Sequence, residues 1–171
     1  DVFGRSVSIS GDLIVVGASA EDSSATGVNG NQLDNSIAGS GAAYVFAPLH
    51  ASGDFLWAKS MGGGSDDFGN SVAVDSSGNI YTTGSFQGTV DFNPGTDTAN
   101  LISAGGNDIF VSKLNSSGDF IWAKNMGGTS SDSSYDISLD SNGNIHITGS
   151  FAGTPDFDPG AGTASLTSAG G

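Results

Sequence analysis

The 171 residues, 28 of them glycine, suffice for one domain with a real core, and short apolar runs set apart by Gly, Asn, Asp and Ser exclude a disordered chain. A formal net charge of −14 argues against nucleic acid and anionic membrane surfaces, which need clustered Lys and Arg, and makes cations the more natural small partners. With no Cys there is no disulfide, thiolate metal site or Cys nucleophile, and no apolar run approaches the roughly 20 residues that span a bilayer.

The chain opens with Phe3-Gly4-x-Ser6-Val7, and no signal-peptide pattern precedes it. The same string, Phe68-Gly69-x-Ser71-Val72, returns 65 residues later. Gly53-Asp54-Phe55-Leu56-Trp57-Ala58-Lys59 likewise returns as Gly118-Asp119-Phe120-Ile121-Trp122-Ala123-Lys124. Residues 53–106 and 118–171 match at 33 of 54 positions, which is too many for shared strand propensity and implies duplication of one unit. The copies are expected at about 3–67, 68–132 and, for a partial third, 133–171.

Good helix formers are scarce, with one Glu and four Lys plus Arg, so the class reads all-β. In the first copy a polar run at 18–40 offers no apolar pair to close a hairpin, and 51–53 supply a turn. In the second, strands are predicted at roughly 69–75, 79–86, 107–114 and 118–125. Asp75-Ser76-Ser77-Gly78-Asn79 makes the first turn, echoed by Asp140-Ser141-Asn142-Gly143-Asn144, and Asn115-Ser116-Ser117-Gly118 makes the last. The long stretch 87–106 accommodates a small hairpin projecting from the unit, because Thr89-Val90-Asp91-Phe92 and Asn100-Leu101-Ile102-Ser103 flank Asn93-Pro94-Gly95-Thr96. Each unit is then a four-stranded antiparallel meander, apolar on both faces. Recurring sheets covered on both sides are blades of a β-propeller, here two full blades and half of a third.

Candidate sites follow in chain order. Trp57 and Trp122 offer indole faces for carbohydrate, or pack beneath a neighbouring blade with the stems of Lys59 and Lys124 along their rings. Asp66-Asp67 and Asp132, in the linkers between copies, read as solvated carboxylates, as a cation site or as an acid/base pair. Asp91, Asn93 and Asp97 surround a Pro-Gly turn at spacing that suits a hard cation such as calcium, and Asp156 and Asp158 repeat it with Gly162 in the place of Asp97; the same residues also suit Asx turns. His50 falls in a linker, and His146 takes the place of Tyr81 in a strand, as packing or as a strand-face residue. No nucleophile-and-base spacing, phosphate loop or paired-His zinc motif is present.

DVFGRSVSISGDLIVVGAS and GSGAAYVF, within residues 1–47, resemble an FG-GAP repeat, as in integrin α propellers and bacterial surface proteins. DIFVSKLNSSGDFIWAKNMGG, DSNGNIHITGSF and GTPDFDPGAGTASLTSAGG, within 52–171, resemble the bacterial SBBP-type β-propeller repeat. The resemblance implies a seven-bladed ring and an extracellular or cell-surface bacterial setting. The D-x-D-x-D-G loop of calcium-holding FG-GAP repeats does not occur in 18–40. Two and a half copies fall short of a ring of the usual four to eight blades, so an excerpt, an assembly of chains and an open array all fit. The expected role is structural, adhesive or protein-binding rather than enzymatic, with calcium as a possible support and self-association through an exposed blade face and strand edges. The alternative is the scaffold portion of a secreted hydrolase or lyase whose catalytic residues lie outside this chain.

Overall fold

The structure, a computed structural model, describes residues 2–10, 13–21, 40–46 and 55–170. His50, the turn at 51–53 and most of the polar run 18–40 lie outside the described residues. Every regular element within them is a strand, and every pairing is antiparallel.

In the first copy β1 (Val2–Ser10), β2 (Leu13–Glu21), β3 (Ser40–Phe46) and β4 (Phe55–Gly63) pair in chain order. The second copy forms a sheet from β5 (Phe68–Val74), β6 (Ile80–Phe86), β9 (Asp108–Leu114) and β10 (Phe120–Met126), with the short hairpin β7 (Thr89–Asp91) and β8 (Asn100–Ile102) between its middle strands. The third contributes β11 (Ser133–Leu139) and β12 (Ile145–Ser150). The turns form as their sequences demand. Asp75 Oδ1 accepts bonds from the Ser77 and Asn79 amides, each at 2.9 Å, and Gly78 takes the φ of 78° that closes the loop. Asp140, Asn142, Gly143 and Asn144 repeat the arrangement.

The hairpin's position differs from the projecting one read from the sequence. It pairs with the end of β4, Gly62 opposite Asp91 and Gly63 opposite Val90, and so enlarges the first sheet to six strands. Gly63 permits this approach, since a Cβ there would stand 2.5 Å from the Thr89 carbonyl oxygen. In the third copy Asp156 bridges Gly127 in the same way. Each unit thus reaches back to the outer strand of the unit before it.

The sheets are stacked, with β1 and β2 packed on β5, and β5 and β6 packed on β11. Val15, Val72 and Ile80 bury the first interface beside Trp57. Ala73, Tyr81, Val111 and Ile137 bury the second beside Trp122 and Met126. A third cluster, Met61, Phe86, Val90, Phe92 and Phe110, fills the space under the hairpin. Bulges in the inner strands bring Ser6, Ser71 and Asp136 into line, Ser71 donating to Asp136 Oδ1 at 2.7 Å and the two serine hydroxyls meeting at 3.4 Å.

Candidate functional site

The two Pro-Gly loops close on their own backbone. Asp91 Oδ1 accepts from the Asn93 amide at 3.0 Å and the Ala99 amide at 2.8 Å, and Asn93 Oδ1 accepts from Gly95 at 2.8 Å. Asp156 and Asp158 do the same with the amides of Asp158, Ala164 and Gly160. The bond from Ala164, with that from Asp158, holds Asp156 below the usual carboxylate range. Asp97 is exposed on the loop rim. Among the described residues, no three His, Cys, Asp or Glu side chains converge as metal ligands do.

The linker acids are not solvated as a pair. Asp66 is exposed, but Asp67 and its copy Asp132 are 3% and 0% exposed. Asp67 Oδ2 accepts from the Gly63 amide at 2.7 Å and Oδ1 from the Gln87 amide at 3.4 Å. Asp132 repeats both bonds 65 residues on, with Gly128 and Ala152, each at 3.0 Å. Each carboxylate therefore fastens the outer strand of one unit to the start of the insertion in the next. Burial pushes Asp67 up to about 6, against the bonds from Gly63 and Gln87 and with repulsion from Asp66. Burial likewise raises Asp108, whose Oδ1 is buried without a hydrogen-bond partner.

The tryptophans face their neighbours. Trp57 is half-buried at the first interface, and its Nε1 donates to the Ser116 carbonyl at 3.2 Å. Trp122 packs edge-on against Tyr81, with ring centroids 6.2 Å apart. His146 is exposed and lies 3.8 Å from Asp140, so of its two readings the strand-face one describes it.

The concave feature that sequence reasoning missed lies between the second unit and the third. There Ile109, Met126, Ile147, Gly149, Phe151 and Phe157 line a cavity of about 320 Å³. A smaller one of about 180 Å³ adjoins it beside Trp122, Lys124 and Pro159. In the second unit the equivalent space, among Met61, Phe86, Val90 and Phe92, is filled by Phe110, so these walls are those of a core packing site. The signal was present in the third copy, which has Met126, Phe151 and Phe157 where the second has Met61, Phe86 and Phe92.

Residues 56–85 and 121–150 match the family model of the SBBP beta-propeller repeat, and residues 1–46 match that of an FG-GAP repeat. A WD repeat-containing protein of Acanthamoeba polyphaga mimivirus is 37% identical over 110 residues, an alignment covering 56% of this chain and 8% of that protein.

Proposed function

Since the chain is built of FG-GAP and SBBP beta-propeller repeats, we propose that it is a structural and protein-binding propeller segment, without catalysis of its own, displayed outside a bacterial cell or on its surface in an adhesive role. The observation that carries the binding role is the stacked repeat, sheet packed on sheet through Val15, Val72 and Ile80 and through Tyr81, Val111 and Ile137, a rigid scaffold from which acidic loops are presented. The extracellular setting rests on the repeat types and the acidic composition.

Self-association belongs to the same proposal. Val7 is 57% exposed on the first unit, whereas its counterparts Val72 and Ile137 are 4% and 5% exposed beneath preceding units. The face that carries Val72 and Ile137 is thus one that another unit covers, and a unit of a second copy can supply that cover as well as a unit of the same chain. Heterologous contacts of this kind make rings or filaments. Calcium enters as an added ligand of the Asp91 and Asp156 loops, whose closure already rests on hydrogen bonds.

Sedimentation velocity of the purified chain, run with and without millimolar calcium, tests the proposal. Assembly that grows with protein concentration, and grows further with calcium, is the expected result. A stable monomer at every concentration contradicts self-association, and identical profiles in both buffers remove calcium from the account.

A further inference from the structure

We infer that Asp108 and Asp132 form a buried proton-binding pair in the seam between the second and third units, and that this seam closes more firmly in acid than in neutral solution. The pair is particular to this seam, since the first copy has Ala43 in the place of Asp108.

Both carboxyl groups are out of water, Asp108 at 1% exposure and Asp132 at 0%. Asp108 opens β9, and its Oδ2 accepts from the Ala104 amide at 3.1 Å and from the Asn125 side chain at 3.5 Å. Asp132 holds the Gly128 and Ala152 amides, and its own amide donates to the Asn107 carbonyl, one residue before Asp108, at 2.7 Å. The pair thus gathers the end of one insertion, the outer strand β10 and the start of the next insertion. Two glycines let the backbone close over it. A Cβ on Gly127 would stand 2.5 Å from Asp108 Oδ1, and one on Gly105 would stand 2.5 Å from the Thr129 carbonyl oxygen.

Three of the four carboxyl oxygens have donors, and Asp108 Oδ1 has none although it is buried. An ionised oxygen left so is costly, and a proton is the smallest group that removes its charge. Among the described residues no basic side chain answers it. Lys113, on the same strand, is engaged with Asp75 at 3.8 Å, and Lys124 of β10 stands opposite Val111. Across Gly127, Asp156 spends its Oδ1 on the Asp158 and Ala164 amides. The charge that acts on Asp108 is that of Asp132, which has the same sign.

Burial pushes Asp108 above its ordinary 3.8; the bonds from Ala104 and Asn125 oppose the shift, and repulsion from Asp132 adds to it. Above pH 3.8 the folded protein therefore holds more protons here than the unfolded chain does. The stability that the group contributes is complete below that value and is lost as pH rises through the folded one.

Carbon-13 NMR of the side-chain carboxyls in the full chain, from about pH 3 to 8, tests this, with the signal lost in Asp108→Asn giving the assignment. The Asp108 midpoint is expected above 3.8, and should fall in Asp132→Asn, which keeps an oxygen and loses the charge. Exchange of the Asp132 amide reads closure of the seam, because that amide bonds to Asn107 and not to a carboxylate. Its protection should be about tenfold or more greater below the Asp108 midpoint than above it. In Asp108→Asn, a neutral stand-in for the protonated acid, protection should stay at the acid level throughout. Should Asp132→Asn fail to fold, the titration of the unaltered chain still decides. An Asp108 midpoint at or below 3.8, or Asp132 protection that ignores the midpoint, overturns the inference. Full protection at neutral pH in millimolar calcium, with Asp108 ionised, gives the pair to a metal ion and likewise overturns it.

Discussion

Asp67 shows how a single buried carboxylate joins two units of the repeat. Its folded value of about 6 stands above the ordinary 3.8, so between those values the native state holds more protons than the unfolded one. Its contribution to stability is therefore fully present below about pH 4 and is lost as pH rises through 6, an effect of up to about 3 kcal/mol. Asp67→Asn is expected to flatten that slope in urea titrations at pH 4.5 and 7. At the lower pH it should also cost about 1–3 kcal/mol, because its amide nitrogen would confront a backbone N–H. An unchanged pH dependence would show that Asp67 is not the titrating group. The sequence displayed these acids without the amides that surround them, which is why solvation looked the natural reading. What could have revealed the bonds is the shared spacing of Gly63, Asp67 and Gln87 with Gly128, Asp132 and Ala152.

At the scale of elements, the hairpin β7–β8 illustrates what local pattern reveals and what it hides. Alternating apolar residues around a Pro-Gly turn made its existence legible, as they did the four main strands of the second unit, which lie within two residues of their expected ends. Its pairing with β4 was hidden, because that contact joins different units and depends on how the sheets stack. Gly63→Ala should break it, since the new methyl would meet the Thr89 carbonyl oxygen at 2.5 Å, at a cost of roughly 1–3 kcal/mol. Gly64→Ala is the control, with nothing within 4 Å of its added Cβ. Amide exchange at 89–91 should accelerate in the first variant and stay unchanged in the second. Equal behaviour of the two would mean that the β4–β7 pairing contributes nothing to holding the hairpin.

For the whole molecule, the 65-residue period made the stacked architecture legible from sequence, down to the tryptophans turned toward a neighbouring unit. The open cavity was not legible, because it arises from what stands beside Met126, Phe151 and Phe157 rather than from those residues themselves. The account's central claim is that the insertion of each unit is fastened to the outer strand of the unit before it, through the pairing of Gly62 with Asp91 and the carboxylate of Asp67. Hydrogen exchange at the Gly63 and Gln87 amides, compared between the protein and Asp67→Ala, measures this directly. Exchange at both amides should quicken by about tenfold or more in the variant while Ile80–Phe86 keeps its protection. Unchanged exchange at Gly63 and Gln87 would contradict the claim, since it would mean that the carboxylate does not hold the two units together.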